Sequence, residues 1–104
     1  MPASGRSSTV SDRYPAQNPR AAWRVYDDRA VIITPEDSRL HTLNEVGTVV
    51  WAAADGRTAM TDIVTRVCRE FDVTTERAAA DVDAFVVDLV GRGLLTVNDT
   101  PASG

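Results

Sequence analysis

Lysine is missing altogether: the eleven basic residues are all arginine, set against fifteen acidic ones, for a formal net charge of −4. An acidic chain is repelled by phosphate polyanions, which makes nucleic acid a disfavoured partner. A single cysteine, Cys68, excludes an intrachain disulfide and the stapled build of small secreted domains. The single histidine, His41, has neither a nucleophile nor a metal-ligand partner close by in sequence, which argues against a catalytic base. No apolar run approaches the ~20 residues of a membrane span, and the amino terminus lacks the charged start and apolar stretch of a secretory signal. Gly-rich phosphate loops, paired cysteines and paired acid/base motifs are missing too. The absences together describe a cytoplasmic protein that is not an enzyme and carries no cofactor and no metal.

What is there suffices for one small domain. The chain has 104 residues, 43% of them hydrophobic, enough for a single modest core. Bulky apolar residues thin out at both ends. Residues 1–22, rich in Pro, Ser, Arg and Ala, and residues 98–104 read as disordered tails, leaving 23–97 as the folded part.

Trp23-Arg24-Val25-Tyr26 alternates and stops at Asp27-Asp28, a turn-favouring pair. Ala30-Val31-Ile32-Ile33-Thr34 resumes with β-branched residues until Pro35. Beyond the polar turn Glu36-Asp37-Ser38, a short third strand covers Arg39-Leu40-His41-Thr42-Leu43. The tight connections predict an antiparallel meander. At Asn44 the period changes. Asn44 is a good N-cap, Glu45 suits the positive end of a helix, and Val46, Val49, Val50 and Ala53 share a face. Asp55-Gly56 ends that helix, and Thr58 is expected to cap a second with the stripe Met60, Ile63, Val64, Val67, Cys68 and Phe71. Asp72 breaks it. Thr74 caps a third, with Ala78, Val82, Phe85, Val86 and Leu89 in its stripe and Gly91 and Gly93 at its end; Leu94–Val97 adds a brief strand. Three strands followed by three helices make an α+β fold in the order of a winged helix-turn-helix.

From Arg39 onward particular residues recur in a known pattern: Leu40-His41-Thr42-Leu43-Asn44-Glu45, then Gly47, Val50-Trp51 and Asp55-Gly56-Arg57-Thr58. It continues through Ile63, Phe71-Asp72-Val73, Asp81-Val82, Phe85-Val86, Leu89 and Gly93-Leu94-Leu95. The chain resembles the pyrroloquinoline quinone biosynthesis protein D (PqqD) family over roughly Ala30 to Leu95. Members of that family act as recognition elements for ribosomally made, post-translationally modified peptides. The resemblance implies three strands packed on three helices. It also implies that a precursor's leader segment adds as an extra strand beside the third strand, in a groove walled by the third helix. A tailoring enzyme, such as a radical S-adenosylmethionine maturase, a leader peptidase or a cyclase, then acts on the remainder.

The expected peptide-binding residues are therefore Leu40, His41, Thr42 and Leu43 on the third strand and one flank of the third helix. At ~100° per residue, Phe85 sits at one margin of the apolar stripe, and Asp81, Asp88 and Arg92 continue along that flank. Ala79, Asp83, Val87 and Val90 form the opposite flank. The Phe85 flank is the preferred wall, because it joins an apolar anchor to charges of both signs. Plainer readings stand beside these: His41 faces solvent or the groove, Cys68 is a small buried hydrophobe, Trp51 is core, and the aspartates form a solvated face. A winged-helix DNA-binding regulator is the rival reading, weakened by the acidic residues of the third helix. An exposed strand edge leaves pairing of two copies open.

Overall fold

The computed structural model describes residues 13–36 and 38–102; the expected tail over 1–12, Asp37 and the last two residues lie outside them. The meander forms as three antiparallel strands, β2 (Ala22–Tyr26), β3 (Arg29–Thr34) and β4 (Arg39–Thr42), hydrogen-bonded in that order. Asp27 and Asp28 both take positive φ, 51° and 64°, the two-residue conformation whose twist matches a hairpin. They set Tyr26 opposite Arg29 and Trp23 opposite Ile32. Ser38, at φ 54°, donates its N–H to the Thr34 carbonyl at 2.8 Å and turns the chain into β4.

Period two divides this sheet. Ala30, Ile32, Thr34 and His41 are buried on its inner face, while Tyr26, Ile33, Leu40 and Thr42 lie on the open outer face. Three helices cover the inner face: α1 (Glu45–Ala53), α2 (Met60–Phe71) and α3 (Thr75–Gly91). Asn44 caps α1 as expected, its side chain accepting from Gly47 N at 2.8 Å, and Thr74 caps α3 by accepting from Arg77 N at 3.1 Å. Thr58 does not cap α2. The helix begins one residue later than expected, so its N-cap is Ala59, with no side-chain bond; Thr58 lies in the turn closed by Asp55, whose Oδ1 accepts from the N–H of Arg57 and Thr58 at 2.8 and 2.9 Å. Trp51 lies at the centre of the core beside Ile32, Ile63, Val67, Val82 and Leu89, and Trp23 meets it edge-on at 5.9 Å.

The folded part extends beyond 23–97, in correction of the expected tails. Tyr14–Gln17 forms β1, which pairs antiparallel with β5 (Leu95–Asn98) in a separate two-stranded sheet. Pro15 is fully buried there. Asn18 N donates to Leu94 O at 2.8 Å, so the ladder bonds fall on alternate residues and the missing N–H of Pro15 faces away from β5. On that other side the Pro15 carbonyl accepts from Gly56 N at 2.8 Å, and Gln17 N donates to Ala54 O at 3.0 Å. Farther along the expected carboxy-terminal tail, Ala102 N donates to Gly56 O.

Candidate functional site

β4 is an edge. It pairs with β3 on one side, and among the described residues no strand pairs with the other. The register decides which backbone groups it leaves open. Leu43 N donates to Ala30 O at 2.9 Å, and His41 stands opposite Ile32 two residues back, so these residues turn their amides and carbonyls towards β3. Leu40 and Thr42 then point theirs outward. Two donors and two acceptors are displayed along one open edge.

The side chains follow the same alternation. Leu40, 63% exposed, and Thr42 stand on the outer face; His41, 9% exposed, and Leu43, 4% exposed, turn into the protein. His41 therefore does not face solvent as one expectation had it. Its Nε2 is closed off without a hydrogen-bond partner among the described residues, as is Trp51 Nε1. Leu43 belongs to the core cluster and is not brought to the surface.

The residues expected to wall this edge lie on α3. Phe85, half-buried, lies against Gly47 at the start of α1, the helix that directly follows β4. A Cβ on Gly47 would come within 2.7 Å of Phe85 Cε1, so only glycine lets the ring lie so close to the α1 backbone. At the far end, Arg92 shares a concavity with Thr34 and Glu36 at the β3–β4 turn. The other flank looks elsewhere: Asp83, Val87 and Val90 border a hollow with Arg13, Met60 and Val97, towards the β1–β5 sheet and α2. The two flanks thus differ in surroundings: Phe85 lies against α1 and Arg92 near the β3–β4 turn, whereas Asp83, Val87 and Val90 border the hollow on the other side.

The charges of the Phe85 flank are internally matched. Arg92 donates from Nε to Asp88 Oδ1 at 3.2 Å and pairs through Nη2 with Oδ2 at 3.1 Å, and Arg77 Nε lies 3.5 Å from Asp81 Oδ2. Both are exposed i, i+4 pairs, each worth a few tenths of a kcal/mol. Arg77 was missed in the sequence, although its spacing of four from Asp81 signals the pair. The inward and outward roles along β4 were also available from period two. Among the described residues, no group of three His, Cys, Asp or Glu side chains is placed to hold a metal ion.

Comparison with known proteins fits this geometry. The family described as Coenzyme PQQ synthesis protein D (PqqD) matches residues 29–95. The chain belongs to the PqqD family. No curated protein matches it by sequence. Two solved structures resemble this PqqD-family chain in fold. "TbiB1 in Complex with the TbiA(beta) Leader Peptide" superposes with a TM-score of 0.70 at 21% identity, covering 77% of this chain and 93% of that one. "Lasso peptide synthetase B1 complexed with the leader peptide" gives 0.67 at 20% identity, covering 79% and 96%. The match to PqqD starts at the head of β3 and ends at the first residue of β5, leaving out β1 and β2.

Proposed function

We propose that this protein binds the leader of a ribosomally made precursor peptide by strand addition at β4 and presents it to a separate tailoring enzyme, without chemistry of its own. The observation that carries this reading is the open edge of β4 beside the Phe85 flank of α3. Membership of the PqqD family supports it, and both fold relatives are, by their descriptions, bound to leader peptides.

The outward groups of Leu40 and Thr42 allow about four backbone hydrogen bonds, worth ~1 kcal/mol net each. Ordering five leader residues costs ~1–2 kcal/mol apiece and offsets that gain. Affinity must therefore come from side chains. Two or three apolar anchors against Phe85 and the outer-face Leu40, at ~1.5–3 kcal/mol each, would supply the favourable balance.

The DNA-binding reading loses ground on one detail. The arginines of the α3 region, Arg77 and Arg92, are both held by carboxylates, and the remaining charges of α3 include Glu76 and Asp83. A free basic surface for phosphates is not offered there. No helix among the described residues is long and apolar enough to cross a membrane.

The test is fluorescence anisotropy with a labelled leader from a precursor gene neighbouring this one, joined to amide chemical-shift mapping. Saturable binding that perturbs the Leu40 and Thr42 amides is expected. A bound leader that leaves both amides unmoved would overturn strand addition at β4.

A further inference from the structure

The sheet has a second open edge, and its surroundings differ from the first. β2 pairs only with β3 among the described residues. The two-residue hairpin makes Tyr26 and Arg29 a mutually bonded pair, and bonding then alternates through Arg24–Val31 and Ala22–Ile33. Trp23 and Val25 are left with amides and carbonyls directed away from the sheet. Their side chains sit on the inner face yet remain 37% and 46% exposed, beyond the cover of the helices. Edges of this kind are usually blunted by charged side chains, proline or a bulge. β2 has one charge, Arg24 on the outer face, and neither proline nor bulge.

Beside this edge lies a groove between the hairpin and the facing ends of α1 and α2. Val25, Val49 and Phe71 give it apolar surface; Asp28, Glu45 and Glu70 supply carboxylates around it. None of these three is held in an ion pair among the described residues. Among the described residues, no arginine lines it.

We propose that the β2 edge is a second strand-addition site, taken by an extended segment of a partner protein with the pattern basic–x–apolar–x–basic. Side chains two apart on a strand share a face at ~6.6–6.8 Å spacing. The central apolar residue then enters the Val25–Val49–Phe71 groove while an Arg or Lys on either side reaches the carboxylates. A second copy of this chain is the wrong occupant. Two-fold pairing of β2 with itself would set Trp23 and Val25 beside their equivalents and bring two acidic grooves together without a cation between them. The site stands independently of leader binding at β4. If both edges are filled, one five-stranded sheet holds leader and partner about 19 Å apart, four strand spacings of ~4.8 Å.

The experiment is panning of a displayed library of random ten-residue peptides on the intact protein, followed by synthesis and amide-exchange mapping of the enriched clones. Clones with the basic–x–apolar–x–basic pattern that slow exchange at Trp23 and Val25 are expected. Their affinity should fall about tenfold in the double variant Glu45→Arg, Glu70→Arg, and fall with added salt. Both changes are at exposed positions, and circular dichroism checks that the fold is kept. Absence of enrichment, clones without basic residues, or protection confined to Leu40 and Thr42 would overturn the site. Concentration-dependent dimers that protect Trp23 and Val25 without peptide would overturn the occupant. Leader anisotropy reads the β4 edge alone, so failure there is told apart from failure here.

Discussion

The two edges of the three-stranded sheet offer the same backbone chemistry and differ in what stands beside them. Along β4 the wall proposed is α3, whose half-buried Phe85 packs on the core and whose two aspartates are matched by Arg77 and Arg92. Along β2 the groove between α1 and α2 is rimmed by carboxylates outside any ion pair among the described residues. Strand addition alone is not favourable in free energy, because ordering the guest more than offsets its hydrogen bonds. Selectivity at either edge must therefore reside in the helices. An electrically balanced wall favours an apolar guest, and an acidic rim favours a basic one.

The sharpest way to break this comparison is proline scanning of β4. His41→Pro removes an inward donor from the ladder and should destabilise the fold by about 3 kcal/mol or more, read as a collapse of the thermal melt. Thr42→Pro removes only an outward donor; the fold should survive while leader affinity drops about tenfold, near one hydrogen bond. Equal damage from both would show that the two residues are not divided between inside and outside. Val25→Pro, the counterpart on the other edge, should leave leader anisotropy unchanged.

Next in size is the wall. Phe85→Ala should cost about 2–3 kcal/mol in denaturant unfolding and weaken the leader about tenfold, whereas Val87→Ala, on the opposite flank, should do neither. Gly47→Ala tests the contact from below. A Cβ 2.7 Å from the ring must displace it, at about 1–3 kcal/mol, partly offset by the ~1 kcal/mol that alanine gains over glycine in a helix. Leader binding should weaken along with stability.

Asp55 gives a small effect with a definite sign. The Arg57 amide, with further help from Thr58, holds its carboxyl below the ordinary value of 3.8, against a smaller opposing push from burial. A depressed folded pKa stabilises the fold above the unfolded value, and that contribution is lost as pH falls through the folded one. Wild type should therefore lose stability below about pH 4 slightly more steeply than Asp55→Asn, by less than 1 kcal/mol, in melts across pH 2–5.

Most of the architecture was legible because it is periodic. Helical stripes and alternating strands are local signals, and Asn44 and Thr74 announce their helices by chemistry that acts within three residues. β1 was not legible. Tyr14-Pro15-Ala16-Gln17 has weak strand character and a proline, and its partner is at the other end of the chain. Thr58 failed as a cap because it belongs to the Asp55 turn and the helix starts one residue later, a shift that composition does not reveal. At the site, the edge and the Phe85 flank could be reasoned from spacing, but the packing of Phe85 on Gly47 could not. A glycine inside a helix, at a cost of ~1 kcal/mol, was the one available hint.

The pairing of β1 with β5 also has a kinetic consequence. The strands that meet there are about eighty positions apart, so their closure entropy far exceeds that of the two-residue hairpin joining β2 and β3. Contacts of such long range form late in folding, and short peripheral ladders open first. This terminal clasp should zip last during refolding and fray before the rest, so that its amide protons exchange ahead of those in the α2–α3 core while the three-stranded sheet is still intact.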